Sequence, residues 1–416
     1  MSNANLPLKI HNTQSYSRRS THASLSTGNN VPHASLGLAA APPDVRKVYD
    51  LPDRGNDIWA TPLFYQLARK RAQPRDNSML SGRSKTFRTS GDTAANANAS
   101  TCLGAETLEP KPPLRHYYRL SFQTMANFEK RLSGNVPGDF FVDSTCIDCD
   151  TCRQLAPEVF RDFGDASIVF RQPMNIAETR RALMALVACP TGSIGTLVPQ
   201  DFRAGIDAFP MPMAENIYFC GFTSESSFGA WSYLILRPEA EGGNVLVDSP
   251  RFASQLVRKI GAMGGIRRMF LSHQDDVADH ARFAAKFACE RIMHAGDGAK
   301  KLGIEWMIEG QAEVQIDRDL VAIPTPGHTR GHVVLLYKKR FLFTGDHLAW
   351  SAERETLTAF RSVCWYSWDE QIRSMERLLS YDFEWVLPGH GRIHHDSAAN
   401  MRVHLERCIG WMKALR

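Results

Sequence analysis

From about residue 209 the chain changes character: short apolar runs recur, and each ends in His, Asp or Gly. WSYLILRPE and GGNVLVDSP read as two strands joined by a polar turn containing Gly242 and Gly243. IRRMFLSHQDDVADH reads as a strand, a polar loop and the start of a helix, and VAIPTPGHTRGHVVLLY, FLFTGDH and WVLPGHG supply further strands. Between them SPRFASQLVRKIGAM, ADHARFAAKFACERIM and DEQIRSMERLLS carry apolar residues at helical spacing. Strands alternating with helices predict a layered α/β domain with metal-type side chains at one edge. TAFRSVCWYSWDE at 358–370 reads as a helix laying an aromatic face on the sheet. The other reading has Arg361, Trp365, Tyr366 and Trp368 lining a substrate pocket.

The first 112 residues look different. Residues 72–112 are too polar to bury a core, and only 49–71 has the character of a short helix. Residues 1–43 hold Lys9, Arg18 and Arg19 and no acidic residue, and they are rich in Ser, Asn, Ala, Thr and His. That composition predicts an organellar transit peptide, and the absence of a short apolar core argues against a secretory signal. Residues 1–112 contain 14 basic and 8 acidic residues, which leaves 35 and 36 for the rest, so the net charge of +5 belongs to the leader. No basic stripe with interleaved aromatics recommends nucleic-acid binding. No run approaches the ~18 apolar residues of a membrane-spanning helix.

Four of the nine cysteines form a pattern. FVDSTCIDCDTC places Cys146, Cys149 and Cys152 at C-x2-C-x2-C, and Cys189-Pro190 follows after 36 residues. Three thiolates at this spacing wrap three corners of an iron–sulfur cube, and a remote Cys-Pro closes the fourth. With no second triplet in the chain, the four make one complete set for a [4Fe-4S] cluster. The rival is a zinc site, but zinc sites usually use two separated C-x2-C pairs. Asp143, Asp148 and Asp150 flank the loop and read as exposed carboxylates. With PEVF, GDASIVF and AETRRALMALVAC leading to CPTGSIG, residues 136–198 resemble single-cluster bacterial-type ferredoxins. The resemblance implies a small α+β fold with two helices and short hairpins.

VLVDSP, SHQDDVADH, PTPGHTRGH, FTGDH and LPGHG, in that order over 209–395, resemble the metallo-β-lactamase superfamily and its glyoxalase II-like hydrolase branch. The resemblance implies an αββα sandwich and two divalent metals, with zinc the first expectation. His273 and His328 fall to the first metal, Asp279, His280 and His390 to the second, and Asp346 bridges. Asp279 and Asp346 carry the catalytic expectation. The family's usual H-x-H-x-D-H is altered here: Asp275 stands where a second histidine is expected, with Asp276 its rival, and two extra residues precede Asp279-His280. A carboxylate in place of an imidazole shifts preference toward iron or manganese. His332 and His347 read as supporting or packing residues, Asp248 as orienting a ligand histidine, and His394 and His395 as surface residues.

The expected organisation is a leader (1–112), a ferredoxin domain with an N-terminal extension (113–208) and a metallo-β-lactamase-fold domain (209–416). The pairing resembles a fusion associated with cyanobacteria and plastids, which favours chloroplast import, with the mitochondrion second. A two-metal site can lower the pKa of water toward neutrality and stabilise an oxyanion. The leading expectation is therefore a hydrolase of a small ester- or thioester-type substrate. The alternative is an iron-dependent oxidoreductase in which the cluster passes electrons to the metal site, with a mononuclear persulfide-dioxygenase-like site as a variant. A third reading, electron carriage beside a lost metal site, is opposed by the joint presence of the His and Asp set. The implied partners are a small-molecule substrate and a redox partner at the ferredoxin domain.

Overall fold

The computed structural model describes residues 126–416. The expectations for the leader, for a helix at 49–71 and for the extension at 113–125 lie outside those residues.

The cluster region begins with β1 (Phe140–Val142) and α1 (Thr151–Leu155), followed by the hairpin β2 (Phe160–Asp162) and β3 (Ser167–Val169). Then come α2 (Ile176–Ala188) and β4 (Ile194–Thr196), and β4 pairs antiparallel with β1. Asn175 caps α2, accepting from Glu178 N–H at 2.9 Å, while the Glu178 side chain reaches back to Met174 N–H at 2.9 Å, so two orphan donors are satisfied together. The helix stops at Cys189, whose ψ of 123° is the extended value a residue before proline adopts. Proline chemistry thereby fixes where the fourth cysteine sits. The expected two helices are present with one hairpin, β2–β3, the other strand pair joining the ends of the region, and a single turn, α3 (Arg203–Ile206), leads out of it.

The remainder is built on two sheets. The first contains β5 (Met211–Ala214), β6 (Ile217–Phe219), β7 (Tyr233–Ile235), β8 (Val245–Val247), β9 (Arg268–Phe270), β10 (Glu290–His294) and β11 (Trp306–Ile308), adjacent in chain order. Its strands are antiparallel from β5 to β8 and parallel from β8 to β11. The helices α4 (Ser254–Ala262) and α5 (His280–Phe287) make the first two parallel crossovers, and a 3-10 turn at Ala295–Asp297 lies in the third. The second sheet runs β12 (Val314–Asp317), β13 (Leu320–Pro324), β14 (Val333–Tyr337), β15 (Phe341–Gly345), β18 (Trp385–Pro388) and β19 (His394–His395). A separate hairpin, β16 (Ala349–Ser351) and β17 (Thr356–Thr358), and α6 (Trp368–Leu378) lie between β15 and β18, and α7 (Ala398–Ala414) ends the chain.

Every residue of β14 is buried, and alternation along the strand explains how. Val333, Leu335 and Tyr337 join Phe343 and the first sheet in one core, whereas Val334 and Leu336 join Ile372, Met375, Leu405 and Met412 of α6 and α7 in another. That is an αββα sandwich with both faces of the second sheet covered. The core between the sheets continues into the cluster region, where Phe140, Val142, Leu155 and Leu183 belong to the same cluster as Phe209, Phe222 and Tyr233.

Two local expectations are corrected. ADHARFAAKFACERIM is not one helix: α5 ends at Phe287, Ala288 turns left-handed at φ 52°, and Glu290–His294 form β10. The 358–370 segment is not a helix before Trp368. It holds one 3-10 turn, Arg361–Val363, and then a loop.

Candidate metal centre and cluster site

The side chains expected as metal ligands in the sandwich sit where strands end. Ser272–Asp276 follow β9, Thr325–His328 follow β13, Asp346 follows β15 and His390 follows β18. Loops at the carboxyl ends of parallel strands are where such sheets gather functional groups. His273 Nε2 lies 3.8 Å and His328 Nε2 3.7 Å from Asp346 Oδ2, and His328 Nε2 lies 3.6 Å from Asp275. His390 Nδ1 is 2.7 Å from Asp346 Oδ1. His273, Asp275 and His328 form one group with metal-ligand proximity, and His273, Asp276 and Asp346 form another.

The structure does not bring Asp279 and His280 to this centre, and the expectation that they hold the second metal is corrected. Asp279 Oδ2 accepts from Phe252 N–H at 2.7 Å and its Oδ1 lies 3.5 Å from Arg282, while His280 Nδ1 pairs with Arg291 at 3.0 Å. The two extra residues let the chain turn, with Ala278 at φ 30°, before the Asp-His pair reaches the site. Asp276 stands there instead, fully buried beside Asp346.

Second partners fix the ring orientations. Ser272 Oγ donates to Asp248 Oδ2 at 3.0 Å, so His273 Nδ1–H donates to Ser272 Oγ at 2.9 Å and His273 Nε2 faces Asp346 as a lone pair. Asp248 therefore has the orienting place expected of it, acting through Ser272. Asp297, which the sequence reading missed, is buried and accepts from Thr329 Oγ1, Gly331 N–H and Gln274 N–H, tying the His328 loop to the His273 loop. It lies outside every motif, so nothing in its local sequence marks it. His332 is held by Thr325 at 3.0 Å, and its ring lies 5.1 Å from that of His273 and 5.4 Å from that of His347.

The electrostatics describe a site short of positive charge. Asp276 is pushed well above the carboxylate range by burial and then by the charges of Asp346 and Asp248, and neither of its oxygens has a hydrogen-bond partner. Burial lowers the His273 pKa, and its Nε2 and that of His328 are likewise buried without hydrogen bonds. Burial opposes ionisation of Asp346, yet His390, His273 and His328 hold it well below the usual range. Unpaired buried ring nitrogens and crowded carboxylates are costly unless a cation joins them. The residues fit a divalent metal pair. His273, Asp275, His328 and Asp346 would hold one ion, and Asp276, Asp346 and His390 the other. The set carries three carboxylates, Asp275, Asp276 and Asp346, beside its three histidines, which suits hard cations. Gly389 makes the close packing possible, since a Cβ there would lie 2.7 Å from Asp276 Oδ2.

The loop at 358–370 borders this centre. Trp365 and Tyr366 N–H both donate to His328 O, at 2.8 and 3.1 Å, and the Trp365 ring lies 6.4 Å from the His328 ring. Tyr366 is half exposed. Arg361 and Trp368 turn away, bonding the carbonyls of Leu415 and Met412. Half of the pocket reading therefore has a place in the fold. The surface expectation holds for His395, but His394 is half buried and stacked on Trp350 at 3.5 Å.

The four cysteines line a single cavity with Ile147, Ser167 and Pro190. Asp148 and Asp150 adopt left-handed φ of 56° and 64°, which curls the loop so that backbone N–H groups face inward. Ser167 N–H points at Cys146 Sγ at 3.4 Å. Burial raises the thiol of Cys146 to about 11 and that of Cys149 to about 12, and neighbouring cysteines add to both. Four thiolates this close require positive charge between them, so the donor set fits an iron–sulfur cube. The exposed-carboxylate expectation is corrected: Asp143, Asp148 and Asp150 are buried. Asp143 accepts from Asn127 N–H at 2.7 Å and Thr145 N–H at 2.9 Å, and Arg153 pairs with Asp148 at 2.8 Å and with Asp150.

Comparison with known proteins agrees with both halves. Residues 142–196 match the family of the 4Fe-4S single cluster domain of Ferredoxin I, and residues 228–390 match the metallo-beta-lactamase superfamily. A hydroxyacylglutathione hydrolase of Anaeromyxobacter dehalogenans (strain 2CP-C) is 30% identical over 127 residues, 29% of this chain and 47% of its own length. The chain thus spans about half the length of that curated relative. Among solved structures, DIM-1 metallo-beta-lactamase is 19% identical, with a TM-score of 0.39 over 49% of this chain and 96% of its own. ETHE1 from Myxococcus xanthus is 20% identical, with a TM-score of 0.34 over 48% of this chain and 91% of its own. The chain thus matches, in order, the family of 4Fe-4S single-cluster domains and the metallo-beta-lactamase superfamily.

Proposed function

We propose that the chain is a metal-dependent hydrolase of a small ester- or thioester-type substrate. The observation that carries this is the convergence of His273, Asp275, Asp276, His328, Asp346 and His390 at strand ends, with His273, Asp276, His328 and Asp346 buried and the set short of positive charge. The similarity to a hydroxyacylglutathione hydrolase supports the reaction class. Two divalent metals held there would acidify water and polarise a carbonyl. The chain's own contribution is positioning. Asp248 and Ser272 set the His273 tautomer, Asp297 locks the His328 loop, and Trp365 and Phe228 flank His328 and His390. The test is metal and acid-labile sulfide content of anaerobically purified protein, followed by an ester and thioester panel. About four iron with matching sulfide plus one or two zinc, with turnover abolished in Asp346→Asn, supports the reading. Full metal content and turnover in Asp346→Asn would overturn it.

One observation favours a second reading, an iron-dependent oxidoreductase. The cysteine loop packs against the segment that bonds His390, and a plain hydrolase has no use for electrons. About five or six iron without zinc would select this reading. The acid-free residues 1–43 support plastid import. A fluorescent protein fused behind residues 1–112 should enter plastids, and a cytosolic signal would refute that.

A further inference from the structure

Residues 223–231 lie between the two sites and touch both. On the cluster side, a Cβ at Gly229 would lie 2.6 Å from Cys149 Cβ and 2.9 Å from its Sγ, so only glycine allows this approach. Its φ of +85° points the same way. Thr151 Oγ1 donates to Gly229 O at 3.4 Å, Trp231 Nε1 donates to Thr151 Oγ1 at 3.3 Å, and Thr223 Oγ1 donates to Ala188 O at 2.6 Å, next to Cys189. On the metal side, His390 Nε2 lies 3.3 Å from Phe228 O, and Trp231 N–H donates to Gly389 O at 2.8 Å. Between the Cys149 contact and the His390 contact there is one peptide unit, that of Phe228 and Gly229. It is planar and rigid. Phe219 stacks on Trp231 at 3.8 Å and holds the segment in place.

We propose that Phe228 and Gly229 form the residue path for single-electron transfer between the cysteine site and the metal centre, with Thr151 and Trp231 as its positioning residues. The proposal rests on the second reading above. The balance is simple: one electron leaves the reduced cluster, which returns to its oxidised form, and reduces one ferric ion at the centre to ferrous. An external one-electron carrier of low potential replaces it. No bond breaks. The path matters because every link is van der Waals contact, covalent bond or hydrogen bond, with no solvent gap.

The experiment uses the full chain, purified anaerobically and loaded with iron. A photogenerated viologen radical supplies less than one electron per molecule, and freeze-quenched electron paramagnetic resonance follows the reduced-cluster signal and the ferric signal separately. In wild type the reduced-cluster signal should decay as the ferric signal is lost. Gly229→Ala, which forces Cys149 away, should slow that decay at least tenfold with sulfide content unchanged. If Gly229→Ala does not load a cluster, Trp231→Phe keeps the ring and removes the bond to Thr151, and it should slow the decay several-fold. Wild-type rates in the loaded variants would overturn the path while leaving the redox reading standing. A wild-type cluster that stays reduced beside a ferric centre, or a centre that accepts only zinc, would overturn both.

Discussion

Three aspartates compete within five residues, and only two reach the centre. Asp275 and Asp276 face the histidines, while Asp279 holds the Phe252 amide. The motif order announced the site, and His273, His328, Asp346 and His390 stand together as their strand-end positions implied. What it could not announce was the backbone turn at Ala278, because an insertion changes which carboxylate faces inward without changing composition. The difference is measurable. Asp276→Asn should release about one metal per chain and lower turnover by at least about 100-fold, since the loss of even an outer partner of a ligand costs 10–100-fold. Asp279→Asn should leave metal content intact and lower stability by about 1 kcal/mol, because the amide oxygen still accepts from Phe252 N–H and only the charge assistance is lost. Elemental analysis of the two variants beside their unfolding curves decides between them, and equal metal loss would restore Asp279 as a ligand.

Elements were legible where periodicity was strong and illegible where an end was set by tertiary packing. β7, β8, β9 and β18 lie where alternating or continuous apolar runs placed them. The helix through 278–293 was read too long because its apolar spacing continues into β10, and the left-handed Ala288 is a feature no side chain advertises. β19 offers a prediction at this scale. His394 lies stacked between Trp350 and the rest of its sheet, edge-on to His404, and burial followed by the nearby His404 lowers its pKa to about 4. Asp396 acts in the other direction, and His395 in the same one. An unfolded histidine near 6.5 binds its proton first as pH falls, so this group removes stability between about pH 6.5 and 4 and is neutral in effect above that window. His394→Gln should therefore flatten the loss of stability between pH 7 and pH 4.5. Urea midpoints for both proteins at those two pH values test this, and parallel losses would show that His394 is not responsible. Solvent screening at this half-buried site keeps the gain small.

At the scale of the whole molecule, the composition of the chain suggests a modular protein, and the packing contradicts modularity. One buried cluster runs from Phe140 and Leu155 through Phe209 and Phe222 to Tyr233 and Phe343, so the cysteine region and the sandwich share a core. Hydrogen bonds cross the same boundary: Gln154 to Gly391 O, Arg251 to Val187 O, and Lys259 to Ile206 O. Sequence alone could not reveal this, because each segment matches its own family pattern and the shared face is written in ordinary apolar residues. The energetic consequence follows from cooperativity: segments that bury surface against each other unfold together unless their interface is weak. A cluster bound only to the native state adds its binding free energy to that single transition. Cys149→Ser should therefore bleach the visible cluster absorption and also lower the midpoint of the sandwich. In wild type the loss of cluster absorption and the loss of near-ultraviolet dichroism from the sandwich tryptophans should coincide on heating. Two separated transitions, or a Cys149→Ser sandwich that melts at the wild-type temperature, would mean that the boundary is a loose linker. The Phe228–Gly229 segment would then have no fixed geometry to exploit.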